Sequence, residues 1–195
     1  MSVSVWSCPA PPVSRREILR YMKCGADTDE LSELIDTCLD VALPLLSYRV
    51  CYTRLNVEQR EDTLDFGVFC AHSHDLRKNL AGCREVLVFA ATVGIGLDRA
   101  ITRFGHTSPA QALCLQAIGA ERIEALCDAF VHEMGLTHSL RPRFSPGYGD
   151  LSLAVQRELF ALLSPHRHIG LTLTDELLMS PTKSVTALAG IEVPL

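Results

Sequence analysis

The strongest constraint in this chain is one uninterrupted helical pattern, SPAQALCLQAIGAERIEALCDAFVHEMG, residues 108–135. Ser108, with Pro109 at the first helical position, marks its start, and Gly135 after Met134 marks its end. Its apolar face includes Leu113, Ala120, Ile123, Cys127, Phe130 and Val131, and a helix this long must find partners for that face. At about 100° per residue, Glu124 falls at the border of the face while Glu121 and Asp128 lie further round toward solvent. Glu124 is therefore the carboxylate best placed to face a cleft. The alternative is a solvated edge charge in a salt bridge with a neighbour.

The rest of the chain must supply what covers the helix. At 195 residues and 48% hydrophobic content, it suits one domain with an ample core. The net charge is −5 and the pI near 5.8, with no basic run interleaved with aromatics, so a nucleic-acid partner is not expected. Eight cysteines, at 8, 24, 38, 51, 70, 83, 114 and 127, include no CxxC pair and sit mostly inside apolar patterns. They are expected to be reduced core thiols of a cytoplasmic protein. Prolines interrupt MSVSVWSCPAPPVSRRE where a signal peptide needs an apolar stretch, and no apolar run approaches the roughly 18 to 20 residues of a membrane span.

The remaining patterns mix helix and strand. Residues 1–13 are expected to form a loose arm and 14–195 the domain; Ser14 can cap a short helix through Tyr21, and TDELSELIDTCLDVALPLL from Thr28 carries apolar residues at helical spacing up to Pro44 or just beyond. SYRVCYTRLNV and TLDFGVF then suggest two strands joined by the polar turn EQRED. HSHDLRKNLAG predicts a helix ending before Gly82, EVLVFAATVG a buried strand and LDRAITRF another helix. LSLAVQRELFALL is amphipathic, and the segment after it predicts a hairpin turning at Ser180 to Lys183 into the strand SVTALAGI.

Three short motifs invite a chemical reading. Gly94-Ile95-Gly96 sits at a strand-to-helix junction, but Arg99 stands where a dinucleotide fingerprint needs its third glycine, so a tight turn is the better reading. His166 and His168 lack a cysteine or carboxylate at ligand spacing nearby and are expected to be solvated. The third, RPRFSPGYGD at 141–150, offers a guanidinium fork for a carboxylate, a proline that fixes φ, a glycine that bares the backbone and an aromatic face. These parts suit an amino-acid-like or phosphorylated small molecule. Many Pro-Gly turns, however, do no more than turn the chain.

The ordered set RxSPGYGD at Arg143 to Asp150 and LFALLSPHRHIGLTLTDELLMSPTKSV at Leu159 to Val185 resembles the activation, or reactivation, domain of cobalamin-dependent methionine synthase. DLRKNLAGCREVLVFAATVGIGLDRAITRF at Asp75 to Phe104 is similar to the matching part of the short stand-alone relatives of that domain. The resemblance covers most of the chain from about residue 15. It implies an α+β fold: a single domain built on a mainly antiparallel twisted sheet with flanking helices.

It also implies a function that composition does not reveal. Activation domains bind S-adenosylmethionine and supply its methyl group when the enzyme's cobalamin has been oxidised to Co(II), while flavodoxin or ferredoxin supplies an electron. A stand-alone form would act in trans on a corrinoid-binding methionine synthase subunit that holds the cobalamin, and would not be active alone. The alternative is a non-catalytic module that binds S-adenosylmethionine or docks on a corrinoid protein. By position, Arg143 matches the arginine that grips the ligand carboxylate. Ser145, Pro146, Gly147 and Tyr148 match the segment whose backbone cradles the ligand, Ser145 standing where the long enzyme has alanine. The family's acidic residue on the preceding helix falls at Ala125 in a gap-free match, with Glu124 beside it. Because the chain stops at Leu195, short of the tyrosine-bearing segment that covers the ligand in the long enzyme, weaker binding or completion by the partner is expected.

Overall fold

A computed structural model describes residues 2–25 and 27–192. In chain order the elements are β1 (Ser4–Ser7), α1 (Arg15–Tyr21), α2 (Asp29–Ala42), a 3-10 turn (Leu43–Leu45), β2 (Arg49–Asn56), β3 (Glu58–Arg60), β4 (Thr63–Asp65) and β5 (Cys70–Ala71). They continue with α3 (His74–Asn79), β6 (Glu85–Thr92), α4 (Gly96–Thr107), α5 (Pro109–Gly135), α6 (Val155–Leu163), α7 (Pro165–His168), β7 (Thr172–Leu173), β8 (Met179–Ser180) and β9 (Ser184–Ile191). The main sheet has the order β1-β2-β6-β9, antiparallel throughout, and two small sheets, β3-β4-β5 and β7-β8, accompany it.

Both faces of the main sheet are covered, which explains why β6 is apolar along its length and buried from Val86 to Thr92. Val86, Val88 and Ala90 point to one side, toward Leu76 of α3 and Leu159 and Leu163 of α6. Leu87, Phe89 and Ala91 point to the other, toward Ile123, Leu126, Cys127 and Phe130 of α5. A third cluster joins α5 to α1, α2 and α4 through Ile18, Ile35, Leu97, Leu115 and Ile118. Helix α5 is thus packed on several sides, and its polar residues are not sorted by a single apolar stripe.

Local signals in the sequence account for the element ends. Ser14, Thr28 and Ser73 accept backbone N–H bonds at the starts of α1, α2 and α3. Gly94 has φ +87°, and a Cβ there would lie 2.5 Å from the Ser47 hydroxyl; one at Gly96 would lie 2.5 Å from the Leu45 carbonyl. Close packing of the turn at the start of α4 against the 3-10 segment and Ser47 after it is the reason for both glycines.

Several expectations need correction. The arm includes β1, whose residues Ser4–Ser7 pair with Arg49–Tyr52. EQRED is not a simple turn between two long strands: Glu58–Arg60 is itself a strand that folds back on Thr63–Asp65, and β2 pairs instead with β1 and β6. The strand SVTALAGI forms as β9, but its partner is β6, with Phe89 opposite Ala187, while β7 and β8 make their own short hairpin. Leu113 is 56% exposed, and Glu121, expected toward solvent, is buried.

Cys38, Cys51, Cys83, Cys114 and Cys127 are buried, Cys8 and Cys24 half-buried and Cys70 exposed, all as free thiols. Among the described residues no helix is long and apolar enough to cross a membrane. Nor does any group of three or more His, Cys, Asp and Glu among them suit a metal ion; His166 is exposed and His168 half-buried on α7.

Candidate functional site

The site is built on the side of α5 that faces away from the sheet. Glu121, Ala125, Asp128 and His132 follow one another at spacings of four, three and four, with Glu124 three residues after Glu121 and four before Asp128, so they share one helical face. Opposite them run the segment Pro11–Ser14 and the outer side of α1. A cavity of about 520 Å³ lies between, lined also by Glu17, Arg20 and Tyr21. That volume falls within the range of small-molecule sites.

Buried charge fixes the far wall of this cavity. The Arg122 guanidinium, fully inaccessible to solvent, donates to Glu121 at 2.5 Å and to the Pro11 and Pro12 carbonyls at 2.6 and 2.7 Å. Glu121 in turn accepts the Ser14 backbone N–H at 3.0 Å. Burial alone would push the Arg122 guanidinium down, but the hydrogen-bonded Glu121 carboxylate outweighs it and holds the group above its ordinary value. The carbonyls of Pro11 and Pro12 thereby dock on α5 through an arginine rather than through apolar contact. Periodicity placed Glu121 in solvent because it takes no account of the segment that covers this face.

Arg143 reaches α5 from another direction. Residues 141–144 lie along the outer edge of β9: the Arg141 N–H donates to the Gly190 carbonyl at 2.8 Å, and Phe144 and Leu188 exchange two bonds of 2.8 Å. Arg143 then points at the helix, with Nη2 2.5 Å from Glu124 and 3.2 Å from Asp128. Beneath it lies the Cys127 thiol, which burial pushes up to about 12 against the opposing pull of the Arg143 charge.

Arg143 and Glu124 therefore stand together, Glu124 on the cavity wall and Arg143 behind it, joined to the cavity through Glu124 and Asp128. Ala125, where the family's acidic residue falls, is also on the wall. The segment Ser145 to Tyr148 lies outside the cavity lining and forms a closed turn. Pro146 is buried, the Gly147 N–H at φ +87° donates to the Leu151 carbonyl at 2.8 Å, and the Tyr148 N–H donates to the Ser145 carbonyl at 3.1 Å. Tyr148 is 70% exposed and meets Phe144 edge-on, ring centres 5.5 Å apart. The end of the loop anchors it. Asp150 accepts from the Ser73 hydroxyl and from the His74 and Asp75 N–H groups at 2.7 and 3.2 Å, which hold its carboxyl below the ordinary value.

Asp128 and the whole Pro11–Tyr21 wall were missed in the sequence. The signal for Asp128 was present in the spacing of 121, 124, 125, 128 and 132; nothing local signalled the wall, which depends on contacts more than a hundred residues apart.

No family model matches the sequence, and no curated protein matches it. Among solved structures, the crystal structure of the MetH reactivation domain bound to AdoHcy matches with a TM-score of 0.76 at 14% identity, covering 97% of this chain and 78% of that one. The fold is that of the MetH reactivation domain. The antiparallel sheet flanked by helices, expected from the sequence resemblance, is what the chain forms.

Proposed function

We propose that this chain binds S-adenosylmethionine at the α5 cavity and delivers its methyl group to a corrinoid held by a separate methionine synthase subunit. The observation that carries the reading is the charged set Arg143, Glu124 and Asp128 at a ligand-sized cavity, in a chain with the fold of a MetH domain crystallised with AdoHcy. The residues present fit this ligand. Adenosylmethionine carries a carboxylate, an ammonium and a sulfonium. The cavity offers carboxylates to the cations and Tyr21, Pro11 and Pro12 as apolar surface for a base; Arg143, bonded to Glu124 and Asp128 on the wall, is the guanidinium this reading assigns to the ligand carboxylate.

Little acid–base work is required of such a site. The sulfonium is a good leaving group: when the methyl leaves, the sulfur keeps the bonding pair and becomes a neutral thioether. The nucleophile would come from the partner's cobalamin, with a flavodoxin or ferredoxin as the source of the one electron needed to reduce Co(II). What this chain supplies is position, holding the methyl in line and excluding water. The protein is thus an accessory subunit acting in trans, inactive without its partner.

Calorimetric titration with S-adenosylmethionine tests the binding step. Arg143→Ala should weaken affinity at least tenfold, about 2 to 5 kcal/mol being usual for one member of a charge-assisted pair, with the folded state intact. Unchanged affinity would remove Arg143 from the site. Mixing the protein with methyl-labelled adenosylmethionine, reductant and a corrinoid-loaded partner tests the transfer. Label should reach the corrinoid only when this protein is present; binding without transfer would favour a docking or sensing module instead.

A further inference from the structure

Building on the adenosylmethionine reading, we infer that Asp128, together with Glu124, sets the charge of the ligand this cavity accepts, favouring the sulfonium substrate over the neutral thioether left after methyl transfer. Four carboxylates stand on the cavity wall: Glu17, Glu121, Glu124 and Asp128. Glu17 has Arg20 at 2.7 Å, and Glu121 has Arg122 at 2.5 Å. Glu124 and Asp128 share Arg143 between them, at 2.5 and 3.2 Å. Four carboxylates against three guanidinium groups leave one net negative charge, and it lies where two carboxylates divide one cation. His132, also on the wall, adds a charge only when protonated.

The sharing is incomplete from the side of the arginine as well. Arg143 uses Nη2 for both carboxylates, while its Nη1 is buried with no hydrogen-bond partner. Next to the two acids the wall is formed by Ala125 and Ala129, so a ligand can approach them closely.

Adenosylmethionine has one carboxylate and two cationic groups, a net charge of +1 that matches the −1 of the wall. Adenosylhomocysteine has lost the sulfonium charge and is neutral overall, which leaves the excess carboxylate uncompensated. The count holds whichever acid meets the ammonium and whichever meets the sulfonium. Asp128, with a side chain 75% exposed, is the member of the pair that can be changed without disturbing the core.

The test is a calorimetric affinity measurement for both ligands on wild type, Asp128→Asn, Asp128→Glu and Glu133→Gln, the last an exposed acid on α5 outside the cavity lining. Wild type should prefer adenosylmethionine. Asp128→Asn should reduce that preference about two- to fivefold, the scale of a partly solvated charge, and the preference should shrink as salt is added. Asp128→Glu and Glu133→Gln should retain it. If wild type binds adenosylmethionine but Asp128→Asn leaves the ratio unchanged, or weakens both ligands equally, this inference is overturned and the binding reading stands. If wild type binds no adenosylmethionine, both are overturned.

Discussion

The two sides of α5 are held by opposite means. Toward the sheet, Phe130 is fully buried and meets Phe89, Tyr52 and Trp6 at ring separations of 5.0, 5.2 and 5.5 Å, with Ile123, Leu126 and Cys127 around it. Toward the N-terminus, beside the apolar cluster that joins it to α1, the same helix holds Pro11, Pro12 and Ser14 through Arg122, Glu121 and three backbone groups. The first side gains stability from burial, roughly in proportion to the apolar area removed from water. The second contributes little net stability for its size, because desolvating two charges offsets much of their attraction. What it supplies is direction: hydrogen bonds fix where Pro11 and Pro12 stand, and with them one wall of the cavity. An apolar contact would hold that segment without fixing its register.

The largest expected effects break one side at a time. Phe130→Ala should lower unfolding free energy by about 3 to 5 kcal/mol in a urea titration, because it removes the ring around which the sheet-side cluster is arranged. Arg122→Ala should cost a similar amount, about 3 to 5 kcal/mol, by stranding the Glu121 carboxylate without its partner. The comparison is sharpened by the double variant Glu121→Leu/Arg122→Met. It should recover most of the lost stability while leaving the Pro11–Ser14 wall without its hydrogen bonds, so adenosylmethionine affinity should stay low. If affinity recovers together with stability, the buried pair is only a packing device.

How much of this was readable beforehand follows the same division. The sheet side is written in local periodicity: the ends of α5, the burial of β6, the Ser14 cap and the start of a helix at Thr28 all follow from short-range patterns, and they formed as expected. The partners of β2 and β9 did not follow, because β6 lies between them in space and no turn links either strand to its true neighbour through a tight hairpin. Glu124 and Arg143 were picked out separately and proved to be in contact. Glu121 was misplaced because the moment of a helix describes one stripe, whereas α5 is covered on several faces. Ser145 to Tyr148 illustrates a different difficulty. Its residue types suit a ligand cradle, yet its Gly147 and Tyr148 N–H groups are used within the turn, and only the folded chain shows how they are spent.

The smallest effect concerns the thiol at the boundary of the two sides. Cys127 belongs to the sheet-side cluster and lies under Arg143; burial pushes it up to about 12, so at pH 8 it is a neutral thiol without solvent access. Thiolate is the species that alkylates, and Cys127 therefore should not react in the folded state, whereas the exposed Cys70 should be labelled promptly by iodoacetamide. Peptide mapping over time separates the two. The rate at Cys127 should follow opening of the sheet side: Phe130→Ala should accelerate it, and Asp128→Asn, which changes an exposed carboxylate on the other side, should not. Equal acceleration by both variants would mean that the two sides open as one unit. The division between a side that stabilises and a side that directs would then describe contacts only, and not separately opening parts of the fold.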